Sequence, residues 1–177
     1  MPLEIRPAVS TDLPRMMGMD HSVASEYVWQ LDLRHEGSQV MSNLREVRLP
    51  RPVPVAYPRN PFALADEWQH KSAVLVAVDN SVIGYICIME QGAATVSWVT
   101  DLVVMSEQRR RGIGSLLLRS AMDRARERGG QMFMFETQAK NQPAIHLAQK
   151  VGLEFCGYND HYYANQDVAL FFGCSLK

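Results

Sequence analysis

Between residues 72 and 138 the hydrophobic pattern changes period twice, and this limits the folds open to the chain. "SAVLVAVDNSVIGYICIME" reads as two β-rich runs joined at Asp79-Asn80-Ser81, a hairpin signal. "TVSWVTDLVVM" is a third such run. In "SLLLRSAMDRARERGG" Leu117, Leu118, Ala121, Met122 and Ala125 then recur at helical spacing, and Gly129-Gly130 ends the helix. "QMFMFETQ" returns to an apolar strand covered on both faces.

The flanks extend the pattern. "LEIRPAV" alternates as a first strand, and "STDLPRMMGMDHSV" opens a helix that Ser10 or Thr11 can cap. The five prolines of "EVRLPRPVPVAYPRNP" predict an extended segment, followed by a short helix near "FALADEWQH". "NQPAIHLAQKVG" is a helix with Asn141 as cap, Pro143 in its first turn and Gly152 at its end. "LEFCGYNDHYY" and "DVALFFGCSL" close as two strands around a turn at Ala164-Asn165-Gln166. The order is that of a mixed α/β chain, a central sheet flanked by helices. With 177 residues and no linker, it reads as a single domain, 1–177.

Composition removes several function classes. The net charge of −1 gives no global attraction to nucleic acid or to an anionic membrane. No window has membrane-spanning length and "MPLEIRPAV" has no apolar signal core, so a cytoplasmic protein is expected. Cys87, Cys156 and Cys174 form no metal-binding pattern and read as buried free thiols. No metal is expected.

The chemistry-bearing stretch is "EQRRRGIGS", residues 107–115. It joins the strand ending at Met105 to a helix starting near Gly114. A helix start carries unpaired N–H groups and a partial positive charge, which suit a phosphate. Gly112 and Gly114 let a ligand approach the backbone, while Arg109, Arg110 and Arg111 add planar cationic donors. A P-loop would need lysine after its second glycine, where Ser115 stands. A dinucleotide fingerprint would need a third glycine, where Leu117 stands.

"RRRGIG" resembles the R/Q-x-x-G-x-G/A acyl-CoA motif of the GNAT superfamily of N-acetyltransferases, with Arg109, Gly112 and Gly114 at the motif positions. Upstream, "TDLVVMSEQ" is similar to that family's fourth strand. Downstream, "ETQAKNQPAIHLAQKVGLEF" is similar to its E…N..A..LYEKLGF segment. The resemblance covers about residues 72–173, the family core, and leaves 20–70 as the acceptor side. It implies a mixed, mostly antiparallel central sheet flanked by helices, with the fourth and fifth strands splayed apart. It also implies acetyl-CoA as cofactor. The loop amides of Arg109, Arg110, Arg111, Gly112, Ile113, Gly114 and Ser115 would hold its pyrophosphate. Backbone groups of Leu102, Val103 and Val104 would meet the pantetheine arm, and Asn141 would meet the cofactor arm.

Acetyl transfer needs a neutral amine, a polarised carbonyl and somewhere for the amine proton to go. Glu136, at the end of "QMFMF", is the expected base, with a rim glutamate paired to an arginine as the alternative. The tyrosine that protonates the leaving thiolate in many family members is Ala148 here. His146, Tyr158, Tyr162, Tyr163 or water remain as replacements, and Tyr163 enters the expected catalytic set. Asp101 breaks an apolar run and is assigned either to acceptor contact or to structural hydrogen bonding.

"FETQAKN", "GYNDHYY" and "DVALFF" resemble segments of the streptothricin acetyltransferases and also of the ribosomal-protein alanine N-acetyltransferases. The implied acceptor is a primary amine of a small molecule or a peptide. A non-catalytic acyl-CoA sensor or accessory protein is the alternative. The terminal run "VALFFGC" leaves open a homodimer paired through that strand.

Overall fold

The computed structural model describes residues 3–91 and 95–177. A seven-stranded sheet has the spatial order β1-β4-β5-β6-β7-β9-β8. Its strands are β1 (Glu4–Pro7), β4 (Ala73–Asp79), β5 (Ser81–Gln91), β6 (Val96–Val104), β7 (Met132–Gln138), β8 (Glu154–Asn159) and β9 (Ala169–Ser175). Every neighbouring pair is antiparallel except β6 and β7. The Asp79–Ser81 hairpin forms as expected, with Asn80 at φ 57°.

Helices cover both faces. On one side lie α3 (Ile113–Glu127) and α4 (Gln142–Lys150), whose Leu117, Leu118, Ala121, Ile145 and Ala148 join Ile86, Val99, Phe133 and Phe172 of the sheet. On the other side lie the short α1 (Leu13–Met17) and α2 (Leu64–Glu67), where Leu13, Met16 and Leu64 meet Val76, Tyr85, Cys87 and Val103. Neither Ser10 nor Thr11 caps α1; the carboxylate of Asp12 instead accepts the Val9 N–H at 2.9 Å and pairs with Arg6 at 2.7 Å.

Two strands escaped the sequence reading. β2 (Val23–Glu36) and β3 (Gln39–Val55) form a separate two-stranded ribbon that turns at Gly37, φ 61°. Tyr27 pairs with Arg48 and Ser25 with Val53, so residues 49–52 bulge out between those pairs. Pro50 and Pro52 sit in that bulge, where their missing N–H groups cost no ladder bond.

The last strands also differ from expectation. β8 ends at Asn159, and residues 160–168 form a loop that contains Tyr162 and Tyr163. The expected turn lies inside this loop, closed by Gln166 N–H to the Tyr163 carbonyl at 2.8 Å. β9 is paired on both sides, by β7 and β8, and so offers no free edge to a second copy. Cys87 is a buried free thiol, but Cys156 is exposed.

Candidate active site

The site exists because β6 and β7 separate. Their parallel ladder runs from Val96–Met132 to Val99–Phe135 and stops there. Both strands continue, β6 to Val104 and β7 to Gln138, unpaired with each other and with a cavity between them. This is the expected splay. In β6, Val99 pairs with Ile88 and Asp101 with Cys87, so Thr100 is a bulge residue. The bulge reverses the facing of the strand: Val99 packs on the α3 side, while Asp101 is displaced toward the α1 side with Val103.

Backbone direction follows from one bond. The Met105 N–H reaches the Ile83 carbonyl of β5 at 2.9 Å. Polar groups alternate along a strand, so those of Leu102 and Val104 face away from β5, into the gap. The Val104 carbonyl takes Arg109 Nε at 2.9 Å. Among the described residues the Leu102 backbone and the Val104 N–H have no strand partner on that side.

A cavity of about 530 Å³ fills the gap and extends to the start of α3. Here the backbone turns left-handed twice, at Arg110 (φ 65°) and Gly112 (φ 84°). Among the described residues the amides of Arg110 through Ser115 have no backbone acceptor; the first satisfied one is Leu116, bonded to the Gly112 carbonyl at 3.0 Å. These groups fit a pyrophosphate, and the cavity beyond them fits an extended arm leading to the split.

The three arginines separate in role. Arg109 folds back, with Nη2 on the Asp20 carbonyl at 2.7 Å, and braces the loop. Arg110 lines the cavity and is exposed. Arg111 bonds Gln108 and does not line the cavity. The two glycines separate as well. At Gly112 a Cβ would meet nothing, but the positive φ favours glycine. At Gly114 a Cβ would lie 2.9 Å from Leu147 Cδ2, so this glycine lets α3 and α4 approach. Asn141 lines the cavity while its side chain accepts the Ala144 N–H at 3.2 Å, as the expected cap.

At the split the chain gathers its buried charges. Glu136, with its side chain 2 % exposed, bonds Arg59 through Oε1. Its Oε2 accepts Trp98 Nε1–H at 2.8 Å and the Tyr162 hydroxyl at 2.9 Å. The Arg59 guanidinium also donates to the Thr100 carbonyl at 3.0 Å, lies 3.7 Å from Asp101 and sits over the Tyr163 ring at 5.6 Å. Burial alone would lower the Arg59 pKa; the charges of Asp101 and Glu136 outweigh it and raise it. The expected free base is therefore an ion-paired carboxylate.

Asp101 accepts the Tyr57 hydroxyl on Oδ1 and the Thr100 hydroxyl at 2.7 Å on Oδ2, with Lys71 Nζ at 3.8 Å. Tyr163 is buried and lines the cavity, and its hydroxyl has no hydrogen bond among the described residues. Burial first, then the Glu136 charge, pushes its phenol above the ordinary range, so it stays protonated. Ala148 is fully buried in the core and does not line the cavity. His146 sits on the cavity wall at 3.3 Å from Glu46.

Three wall residues escaped the sequence reading: His21, Tyr57 and Arg59. Two of them lie in the segment after β3, whose prolines signalled a loop and gave no direction for its side chains. His21 Nδ1 lies 2.7 Å from the Met19 carbonyl and Nε2 lies 2.8 Å from the Tyr85 hydroxyl. Burial lowers its pKa below the usual histidine value.

The family model described as the acetyltransferase (GNAT) family matches residues 41–153, and the chain belongs to that family. It is an acetyl-CoA-dependent N-acetyltransferase. It is 28 % identical over 166 residues to a streptothricin acetyltransferase of Streptomyces lavendulae, covering 90 % of this chain and 86 % of that one. It is 31 % identical over 120 residues to an N-alpha-acetyltransferase of Sulfurisphaera tokodaii, covering 61 % and 72 %. The crystal structure of a nourseothricin acetyltransferase shares the fold, with TM-score 0.82, 24 % identity and full coverage of both chains. No helix among the described residues is long and apolar enough to cross a membrane.

Proposed function

We propose that this protein acetylates a primary amine of a small molecule or peptide by direct attack on the thioester, with the amine reaching the β6–β7 split from the side walled by residues 20–70. The observation that carries this reading is the meeting of three features in one cavity: the amides of Arg110 and Gly112 to Ser115, without a backbone acceptor among the described residues, the Leu102 backbone and Val104 N–H, and the buried carboxylates of Asp101 and Glu136. The acetyl donor supplies the activated carbonyl. The loop amides orient it, and the backbone N–H groups lining the split are placed to polarise that carbonyl.

The acceptor side is built by the ribbon and the segment after it, since Val23, Ala24 and Val55 through Arg59 line the same cavity. Glu136 already accepts three hydrogen bonds out of about four acceptor sites. Its role is to hold the incoming amine through the remaining site, with Arg59 fixing its orientation. Asp101 accepts two close bonds and keeps capacity for the amine proton. Tyr163 takes the part of acid toward the leaving thiolate, which Ala148 cannot play. Together 1–177 works as one acetyltransferase domain.

Thermal unfolding with added ligands tests the donor half. Acetyl-CoA at a hundred times its Kd should raise stability by about 2.7 kcal/mol, and ATP or NAD by less. Replacing Gly112 with valine should weaken that protection; equal protection of the variant would remove the loop from the site.

A further inference from the structure

Arg59 stands where the β6–β7 ladder would take its next step. The last pair is Val99 with Phe135, so Thr100 and Glu136 are the residues that would pair next. Instead the Arg59 guanidinium spans them, donating through Nη1 to the Thr100 carbonyl at 3.0 Å and through Nη2 to Glu136. All three residues line the cavity. A cation is thus fixed at the head of the split, held by both strands.

The rest of its surroundings also suit a cation. Asp101 lies 3.7 Å away, and the Tyr163 ring centre lies 5.6 Å from the guanidinium carbon. Carboxylates, a carbonyl and a ring face are the groups that would receive a substrate cation, and Arg59 occupies their meeting point. Lys71, beyond α2, adds a second cation, 3.8 Å from Asp101 and 3.8 Å from the exposed Glu67. Burial raises the phenols of Tyr57, Tyr85, Tyr162 and Tyr163 and keeps them neutral, and it lowers His21 so that this ring is neutral at pH about 7. Among the described residues, the two buried carboxylates at the split therefore face two cations, and no excess negative charge is left to draw in an ammonium.

We propose that Arg59 determines which amines this protein accepts: its fixed charge offsets that of Glu136 and Asp101, so the acceptor enters as the neutral amine and amines that stay protonated are turned away. This rests on the acetyl-transfer reading above and narrows its substrate class. A nitrogen on the remaining acceptor site of Glu136 shares that carboxylate with Arg59, which places the two within about 6 Å. A charge at that range moves the titration of an amine by about one to three pH units. Here it offsets the pull of Glu136, and burial then favours the neutral form. The acceptor leaves its ammonium proton in water before it binds. The proton that the nitrogen loses after attack is a second one, and Asp101 keeps room for it. Amines that titrate near 7.7–8.0, as α-amines do, are favoured over side-chain amines near 10.4.

The pH profile of kcat for an accepted amine tests this, because its acidic limb reports the amine as bound. Wild type should hold that limb at or below the amine's own pKa. Arg59→Gln should move it up by about one unit or more, with a lower KM at pH about 7 and kcat at least tenfold down, since the bound nitrogen then keeps its proton. Arg59→Lys, which retains the charge, should leave the limb in place. An unmoved limb in Arg59→Gln, or an equal shift in Arg59→Lys, would make Arg59 a merely structural bolt and overturn the proposal.

Titration with methylguanidinium needs no turnover, so it separates this claim from the acetyl-transfer reading. Arg59→Ala and Arg59→Gln should each bind this permanent cation at millimolar concentration, with a raised thermal midpoint, and wild type at least tenfold more weakly. Equal binding by wild type, or none by either variant, would overturn the proposal. Binding by the variants together with no turnover of any amine by wild type would leave the charge assignment standing and count against acetyl transfer alone.

Discussion

Arg59, on the segment between β3 and α2, is bonded to Glu136, the first residue of β7 beyond the last β6–β7 pair. The pair crosses the point where the strands part, and Arg59 also holds the Thr100 carbonyl of the opposite strand. Arg59→Ala leaves Glu136 with its side chain 2 % exposed and no cation on Oε1. Breaking a fully buried pair costs about 3–5 kcal/mol. A third of the Arg59 side chain reaches solvent, so solvent screening reduces this to about 2 kcal/mol. Urea unfolding checks it, and Arg59→Lys should recover only part of the loss because one ammonium cannot hold both strands.

Gly114 and Leu147 set the distance between α3 and α4. Gly114→Ala should cost about 1–3 kcal/mol, since its Cβ would sit 2.9 Å from Leu147 Cδ2. Adding Leu147→Ala should restore part of that loss, giving a coupling energy of about 1 kcal/mol in a double-mutant cycle. Additive effects would show that the two helices do not meet at this point.

Stability below neutral pH should depend on Asp12. Its bond to Arg6 is the main cause of its lowered pKa, ahead of the opposing effect of burial and the Val9 N–H. A carboxylate with a depressed folded value stabilises fully above its unfolded value, near 3.9, and loses this as pH falls through the folded value. Asp12→Asn should therefore cost about 2 kcal/mol at pH 7 and progressively less below pH about 4. Unfolding curves across that range would show the two proteins converge.

Tyr163 offers a separation of activity from stability. Its hydroxyl bonds no described residue, so Tyr163→Phe should leave the thermal midpoint nearly unchanged. The same change should lower kcat by roughly 10²-fold if the phenol protonates the leaving thiolate. Single-turnover kinetics with acetyl-CoA and an accepted amine would measure it.

The second half of the chain was legible because each of its elements obeys a local rule. The α3 face was given by the spacing of Leu117 to Ala125, and the α4 start by the Asn141 cap with Pro143 behind it. The ribbon was not read, although Tyr27, Trp29, Leu31 and Leu33 alternate along β2, because the prolines of β3 masked its partner. Asp101 was found as a polar break in an apolar run, and Glu136 as the carboxylate that ends one. Their partners were not, since Tyr57 and Arg59 lie 44 and 77 positions away from the groups they bond. Periodicity records which face a residue takes. It does not record which distant side chain meets it there, and that decided whether Glu136 is free or paired.

The central claim is that the β6–β7 split delivers an acetyl group to an amine. Purified protein would be incubated with acetyl-CoA and, in turn, streptothricin, aminoglycosides, polyamines, amino acids and peptides, with free thiol and product mass followed together. The account predicts thiol release with at least one amine, a product heavier by one acetyl group, and loss of both in Asp101→Asn. Tight acetyl-CoA binding with no thiol release from any amine would contradict it and make the protein a sensor.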